Sequence, residues 1–170
     1  LYQAHGEVGG DYYDFFYIND HVWVSCMADV SGKGISAAFL MAGFQAHIKA
    51  LFHQPLTTLS EAVISLNQNV IDASRGERFV TFFICKFNNK NRVLEYINCG
   101  HNPALIEIKN QTTWLTATIP GLGMIDELPH VRVESITIPE AFTMISYTDG
   151  LVEIENSKKQ PFGEERIAVV

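Results

Sequence analysis

Near its start the chain carries two runs rich in aromatic and β-branched residues, Tyr12–Ile18 and His21–Asp29, separated by Asn19-Asp20. Two such runs around a short polar turn predict a β-hairpin. In the second run Val22, Val24, Cys26 and Ala28 alternate with Trp23, Ser25 and Met27. Both sets are largely apolar, so this strand is expected to be covered on both faces. A Gly-rich stretch, Ser31-Gly32-Lys33-Gly34, then opens into Ile35–Phe52, which is apolar nearly all round and free of proline. That pattern predicts a buried helix, ended by Pro55. A second helix follows, because Leu59, Ala62, Val63, Leu66, Val70 and Ala73 recur at the spacing of one helical face. Thr58 and Glu61 supply a capping box at its start.

From Phe79 the period changes to two. Phe79–Phe87 and Arg92–Cys99 read as strands joined through Asn88-Asn89-Lys90-Asn91, and Ala104–Ile108, Thr112–Leu115, Val131–Ile138 and Phe142–Thr148 follow. A hairpin, two helices and a run of strands do not make the alternation of a parallel α/β sheet. They predict an α+β fold in which two antiparallel sheets stack and helices cover them. The 170 residues suit one domain, 1–170.

Composition narrows the function. An apolar content of 47% with only 18% charged residues supports a packed core and excludes a disordered chain. The net charge of −7 and the lack of a basic run argue against a nucleic-acid partner. An acidic protein that handles an anionic substrate would need cations between the two. Cys26, Cys85 and Cys99 are odd in number, lack CxxC spacing and lie in apolar runs. They read as buried, reduced thiols of a cytoplasmic protein. No leader is visible, and no apolar run reaches the ~18–20 residues of a membrane span.

Candidate chemistry gathers at three aspartates. Asp11 follows Gly9-Gly10, Asp29 ends the second strand at the Gly-rich loop, and Asp149 follows the last strand and precedes Gly150. Hard divalent cations take carboxylate, carbonyl and water oxygens, and converging carboxylates repel unless cations lie between them. Gly-Asp and Asp-Gly are also common turn dipeptides, so any one of these acids alone is more often a turn residue than a ligand. Gly100-His101-Asn102-Pro103 reads first as a structural turn. Ser31-Gly32-Lys33-Gly34 lacks the spacing of a nucleotide-binding loop.

The motifs in order carry more than their spacing. They run Gly9-Gly10-Asp11-Tyr12-Tyr13-Asp14, Ala28-Asp29-Val30-Ser31-Gly32-Lys33-Gly34, Phe79-Val80-Thr81, Asn98-Cys99-Gly100-His101-Asn102-Pro103, Pro120-Gly121-Leu122-Gly123, Tyr147-Thr148-Asp149-Gly150 and Phe162-Gly163-Glu164-Glu165-Arg166. Over essentially the whole chain this resembles the SpoIIE/RsbU branch of the PPM metal-dependent protein phosphatases. The resemblance implies an αββα sandwich, two Mn²⁺ or Mg²⁺ ions, and hydrolysis of phosphoserine or phosphothreonine by metal-activated water. Asp11, Asp29, Asp149 and the backbone carbonyl of Val30 match the metal ligands. Asp14, His101 and Asn102 lie in the motifs without an assigned role. The implied substrate is a phosphorylated STAS-type anti-anti-sigma factor. A homodimer or regulatory contact is expected on the two helices. The family pattern continues beyond residue 166 with a helix and an Asp-Asp-x-Thr strand, and begins with a strand ahead of Gly9, so the chain is expected to be a fragment truncated at both ends. The rivals are a non-catalytic module of the same fold that binds a signalling partner and, from the GGDYY string, a nucleotide cyclase. Against the cyclase, the string lacks the Glu-Phe that should follow it, and the downstream motifs do not fit.

Overall fold

In the computed structural model, residues 9–53, 57–128, 130–139 and 141–169 are described. Strands β1 (Asp11–Asn19) and β2 (Val22–Val30) form the hairpin. Their turn is Asp20-His21, one residue later than expected, because the Asn19 side chain accepts from the His21 N–H at 2.9 Å and holds a two-residue loop. Helices α1 (Ile35–Phe52) and α2 (Leu59–Ser74) follow. Then come β3 (Val80–Asn88), β4 (Val93–Cys99), β5 (Ala104–Ile108), β6 (Gln111–Leu115), β7 (Glu134–Thr137) and β8 (Phe142–Ile145). Two short elements, helix α3 (Asp149–Val152) and a 3₁₀ turn at Glu164–Val169, close the described chain.

The strands form two antiparallel sheets, one in the order β1-β2-β3-β4-β7 and one in the order β6-β5-β8. Alternation along the strands assigns the layers. Val24, Cys26, Ala28 and Val30 of β2, with Phe82, Ile84 and Ile97, pack against Leu40, Phe44 and Ile48 of α1 and Leu59, Val63 and Leu66 of α2. On the other face of the large sheet, Phe83, Cys85, Phe87, Leu94 and Tyr96 meet Ala104, Ile106 and Leu115 of the small one. Trp23 joins this second layer beside Phe87 and Phe142, so β2 is covered on both faces as its composition predicts. Leu105, whose neighbours face inward, points to the outer side and packs with Tyr147 and Ile167. The layers are thus helix, sheet, sheet and a thin outer layer of short helices.

Three expectations change. The helix Ile35–Phe52 has the expected bounds but is not buried all round: Ile35 is 70% and Phe39 75% exposed, while Ala37, Leu40, Met41, Phe44, Ile48 and Phe52 face the sheet. Contrary to the reading of apolar runs, this helix is long and apolar enough by length and composition to cross a membrane; its buried stripe packs on the large sheet instead. Pro55, expected to end it, lies outside the described residues. The strands expected over Val131–Ile138 and Phe142–Thr148 shorten to Glu134–Thr137 and Phe142–Ile145, which pair with Val93–Tyr96 of β4 and Leu105–Ile108 of β5. Beyond Tyr96, the Asn98 carbonyl takes the Thr118 and Ile119 N–H groups instead. All three cysteines are buried and free.

Helix α2 begins with the expected reciprocal cap: Thr58 Oγ1 accepts from the Glu61 N–H, and Glu61 accepts from the Thr58 N–H. Its buried face also contains a polar residue that periodicity does not reveal. Asn67 donates to the carbonyls of Ile125 and Asp126 and accepts from the Gly123 N–H, strapping the 121–126 loop to the helix. Asn67→Ala would leave these part-buried backbone groups without their side-chain partner, so a loss of about 1–2 kcal/mol is expected. Urea unfolding checks it; an unchanged midpoint would mean that water replaces the side chain.

Candidate metal centre

The hairpin register alone brings two of the three aspartates together. Asp11 at the start of β1 lies directly opposite Asp29 near the end of β2, and directly opposed side chains share a face at roughly 4.5–5.5 Å. Burial, then the charge of Asp11 and a hydrogen bond with it, then the charge of Asp149, push the Asp29 carboxyl up to about 7. The pair therefore favours holding a positive charge, a proton or a cation. Gly10 leaves room beside it: a Cβ there would stand 3.4 Å from both Asp29 Oδ1 and the Val30 carbonyl oxygen. Both groups belong to the expected ligand set. The donors are all hard oxygens, which suits Mn²⁺ or Mg²⁺.

Asp149 is the first residue of α3 and is exposed. It does not follow a strand directly, since β8 ends at Ile145. Its charge reaches Asp29 and His101. Among the described residues no three His, Cys, Asp or Glu side chains already stand in a chelating cluster. The structure opposes Asp11 to Asp29 and brings Asp149 within electrostatic range of them.

Asp14 falls on the opposite face of β1 from Asp11, by the alternation of the strand. There it pairs with Lys49 of α1 and accepts from the Tyr12 hydroxyl at 2.7 Å. Burial raises its carboxyl, but the Lys49 and Tyr12 hydrogen bonds outweigh this and hold it below the usual range. Asp14 ties β1 to α1 and lies apart from the Asp11–Asp29 pair.

The loop after β2 is clamped by the segment that leads into β3. Arg78 donates to the Ser31 carbonyl at 2.6 Å and to Ser36 Oγ at 2.8 Å. The Ser31 N–H donates to the Phe79 carbonyl, and the Phe79 N–H donates to Ser31 Oγ, each at 2.9 Å. Gly32 sits beneath the guanidinium at φ +86°, and a Cβ there would stand 2.2 Å from Arg78 Nη1. The positive φ calls for glycine, and a Cβ would push the guanidinium off its bonds to the loop. The clamp fixes the backbone that follows the Val30 carbonyl.

His101 is 5% exposed. Its backbone N–H donates to Asn98 Oδ1, and its Nδ1 lies 2.9 Å from the Thr81 hydroxyl, opposite Asp29 on β3. Burial pushes its imidazole down to about 4, against the pull of the Tyr147 backbone and of Asp11 and Asp149. The ring is thus a neutral, buried neighbour of the acids. Gly100 before it has φ +64°, and a Cβ there would stand 3.0 Å from the Gly121 amide nitrogen, which joins two of the recognised motifs by close backbone approach.

Burial raises all three thiols well above the ordinary cysteine value, so none is an activated nucleophile. A cleft of about 220 Å³ lined by Asn19, Lys86, Asn88 and Glu95 lies at the other end of the large sheet, away from the aspartates. Sequence reasoning missed Arg78, Thr81 and Thr148 as contributors. Thr148 donates from Oγ1 to Asp11 Oδ2 at 3.0 Å across 137 positions of sequence. Only its place beside Asp149 marked it.

Comparison with known proteins agrees with the fold. Residues 19–170 match the model of the family described as Stage II sporulation protein E (SpoIIE). The phosphoserine phosphatase RsbP of Bacillus subtilis is 26% identical over 156 residues, covering 89% of this chain and 38% of that protein. The chain thus spans well under half the length of this curated relative. The structure of the SiaA-PP2C domain of Pseudomonas aeruginosa superposes with a TM-score of 0.84 at 17% identity, covering 99% of this chain and 68% of that one. A structure of RsbX in complex with magnesium superposes with a TM-score of 0.73 at 18% identity, covering 99% and 81%. These likenesses establish the two-sheet sandwich of the PP2C-type domains.

Proposed function

This chain belongs to the SpoIIE family, and on that premise we propose that it is a metal-dependent protein phosphatase acting on phosphoserine or phosphothreonine. The observation that carries the reading is the opposed Asp11–Asp29 pair, with Asp29 pushed up to about 7. Asp11, Asp29, Asp149 and the Val30 carbonyl would hold two Mn²⁺ or Mg²⁺ ions. The ions would lower the pKa of water, aim it at phosphorus and offset charge on the phosphoryl oxygens. The chain's own part is positioning. The hairpin register opposes two carboxylates, Gly10 lies against Asp29 and the Val30 carbonyl without a side chain of its own, and the Arg78 clamp holds the loop beyond Val30. No nucleophilic side chain is needed, in keeping with thiols whose burial keeps them protonated. Magnesium in the similar RsbX structure supports a divalent ion here.

The phosphoserine phosphatase name of RsbP supports phosphoserine as the group hydrolysed. A phosphorylated STAS-type anti-anti-sigma factor in the cytoplasm fits this reading, and the exposed Ile35 and Phe39 side of α1 would serve a regulatory or homodimer contact. The test is release of inorganic phosphate from a phosphoserine protein with Mn²⁺, with Mg²⁺ and with EDTA. Turnover that needs the ion supports the reading. A folded protein that binds the phosphoprotein yet releases no phosphate with either ion is a binding module instead.

A further inference from the structure

Thr148 stands where a helix-capping residue stands, yet it does not cap. It is the N-cap of α3 with extended backbone (φ −97°, ψ 168°), and its side chain makes no hydrogen bond to the helix. A threonine in this position ordinarily gives its oxygen to the N–H groups of the first turn. Here the hydroxyl donates instead to Asp11 Oδ2 at 3.0 Å. The bond joins the segment after β8, which belongs to the small sheet, to the first residue of β1 at the edge of the large sheet. Thr148 therefore spans the two layers next to Asp149, itself within electrostatic range of Asp29.

We propose that Thr148 is a positioning residue of the metal centre: its hydroxyl occupies one oxygen of Asp11, fixes the rotamer of that carboxylate, and so leaves Oδ1 for the cation and sets Asp149 at a fixed offset from the Asp11–Asp29 pair. This rests on the metal-dependent reading of the site. The physical reason is general. A carboxylate that ligates through one oxygen rotates freely unless the other is tied down, and hydrogen-bonding partners behind metal ligands are typically worth roughly 10–100-fold in metal affinity. A hydroxyl donating to an ionised acceptor is among the stronger hydrogen bonds. The single-residue spacing also accounts for Thr148 and Asp149 acting together. One residue reaches across to orient the ligand on the other sheet, and the next supplies a carboxylate from its own.

Calorimetric Mn²⁺ titration of the wild-type chain, Thr148→Val, Thr148→Ser and Asp29→Asn, with thermal unfolding of each metal-free protein, decides it. Valine keeps the shape and removes the hydroxyl; serine keeps the hydroxyl. Weakening of Mn²⁺ binding by about tenfold or more in Thr148→Val, with recovery to within about threefold in Thr148→Ser and little change in metal-free melting temperature, is the expected result. Wild-type affinity in a folded Thr148→Val overturns the role of Thr148 while leaving the metal centre in place. Equal loss in the valine and serine variants overturns it too, since methyl packing rather than the hydroxyl would then matter. If the wild type takes up no Mn²⁺, the metal-dependent reading itself falls and Thr148 with it.

Discussion

Asp29→Asn is expected to abolish cation-dependent phosphate release, by about a thousandfold or more, and at the same time to stabilise the metal-free protein above neutral pH. The two effects have one cause. Asp29 lies opposite Asp11 and within reach of Asp149, so its negative charge is useful only when cations are present. Asparagine keeps the shape and removes the charge that would bind them. Loss of one well-placed electrostatic contact to a transition state costs roughly 10²–10³ in rate, and in the proposed site the loss of the Asp29 charge would weaken the hold on the ions as well. Stability moves the other way. The Asp29 carboxyl is raised from 3.8 to about 7, so the protonated form is favoured in the fold relative to the unfolded chain. The stabilisation this supplies is complete below pH ~4 and is lost as pH rises through about 7. Above that pH the ionised Asp29 faces Asp11 uncompensated. For a half-buried carboxyl, after allowance for solvent screening, the difference is about 1–2 kcal/mol, or roughly 2–8 °C in Tm for a chain of this size. Melting curves of the metal-free proteins between pH 4 and 8 should therefore fall for wild type and stay flatter for Asp29→Asn. Parallel curves would show that neither burial nor the neighbouring acids raise the Asp29 carboxyl.

The second large effect lies in the core behind the site. Phe82 is fully buried, packs edge-on against Phe44 of α1 with ring centroids 5.1 Å apart, and lies opposite Ala28 on β2. Its neighbour Thr81 lies opposite Asp29. Phe82→Ala removes a ring from between the large sheet and α1 and is expected to cost about 3–5 kcal/mol, a large share of the roughly 5–15 kcal/mol that holds a typical domain together. Phe82→Leu, which keeps most of the volume, should cost about 1–2 kcal/mol. Urea denaturation gives both. A cost below about 1 kcal/mol for alanine would mean that α1 collapses into the space, and that its seat on the sheet is softer than the packing implies.

The elements with the strongest local signals are the ones whose sequence reading holds. Helix α2 has a capping box and a single apolar stripe, and both appear with their expected partners. The hairpin and the β3–β4 pair have long alternating runs, and only their turns shift by a residue. Where pairing partners decide, the sequence is less explicit. Nothing local says that β8 stops at Ile145, because its length is set by its pairing with Leu105–Ile108 of β5. The apolar content of α1 likewise does not distinguish a helix buried all round from one with Ile35 and Phe39 left open, because the missing cover is a tertiary fact.

For the site the same division holds. Asp11 and Asp29 were legible as acids beside glycines, and their opposition follows from hairpin register. Asp14 looked equivalent in its motif, but strand alternation sends it to Lys49. Thr148, Arg78 and Asn67 were not legible. Each acts through a bond to a residue more than 45 positions away, and threonine, arginine and asparagine are ordinary surface residues until that partner is known.

The central claim is that Asp11, Asp29, the Val30 carbonyl and Asp149 hold two divalent ions. Diffraction from Mn²⁺-soaked crystals at the manganese edge tests it most directly. The account predicts two anomalous peaks about 3.5–4 Å apart, within ligand distance of those oxygens and both absent from Asp29→Asn crystals. Peaks elsewhere on the molecule, or none at the hairpin's open end at saturating Mn²⁺, would contradict it.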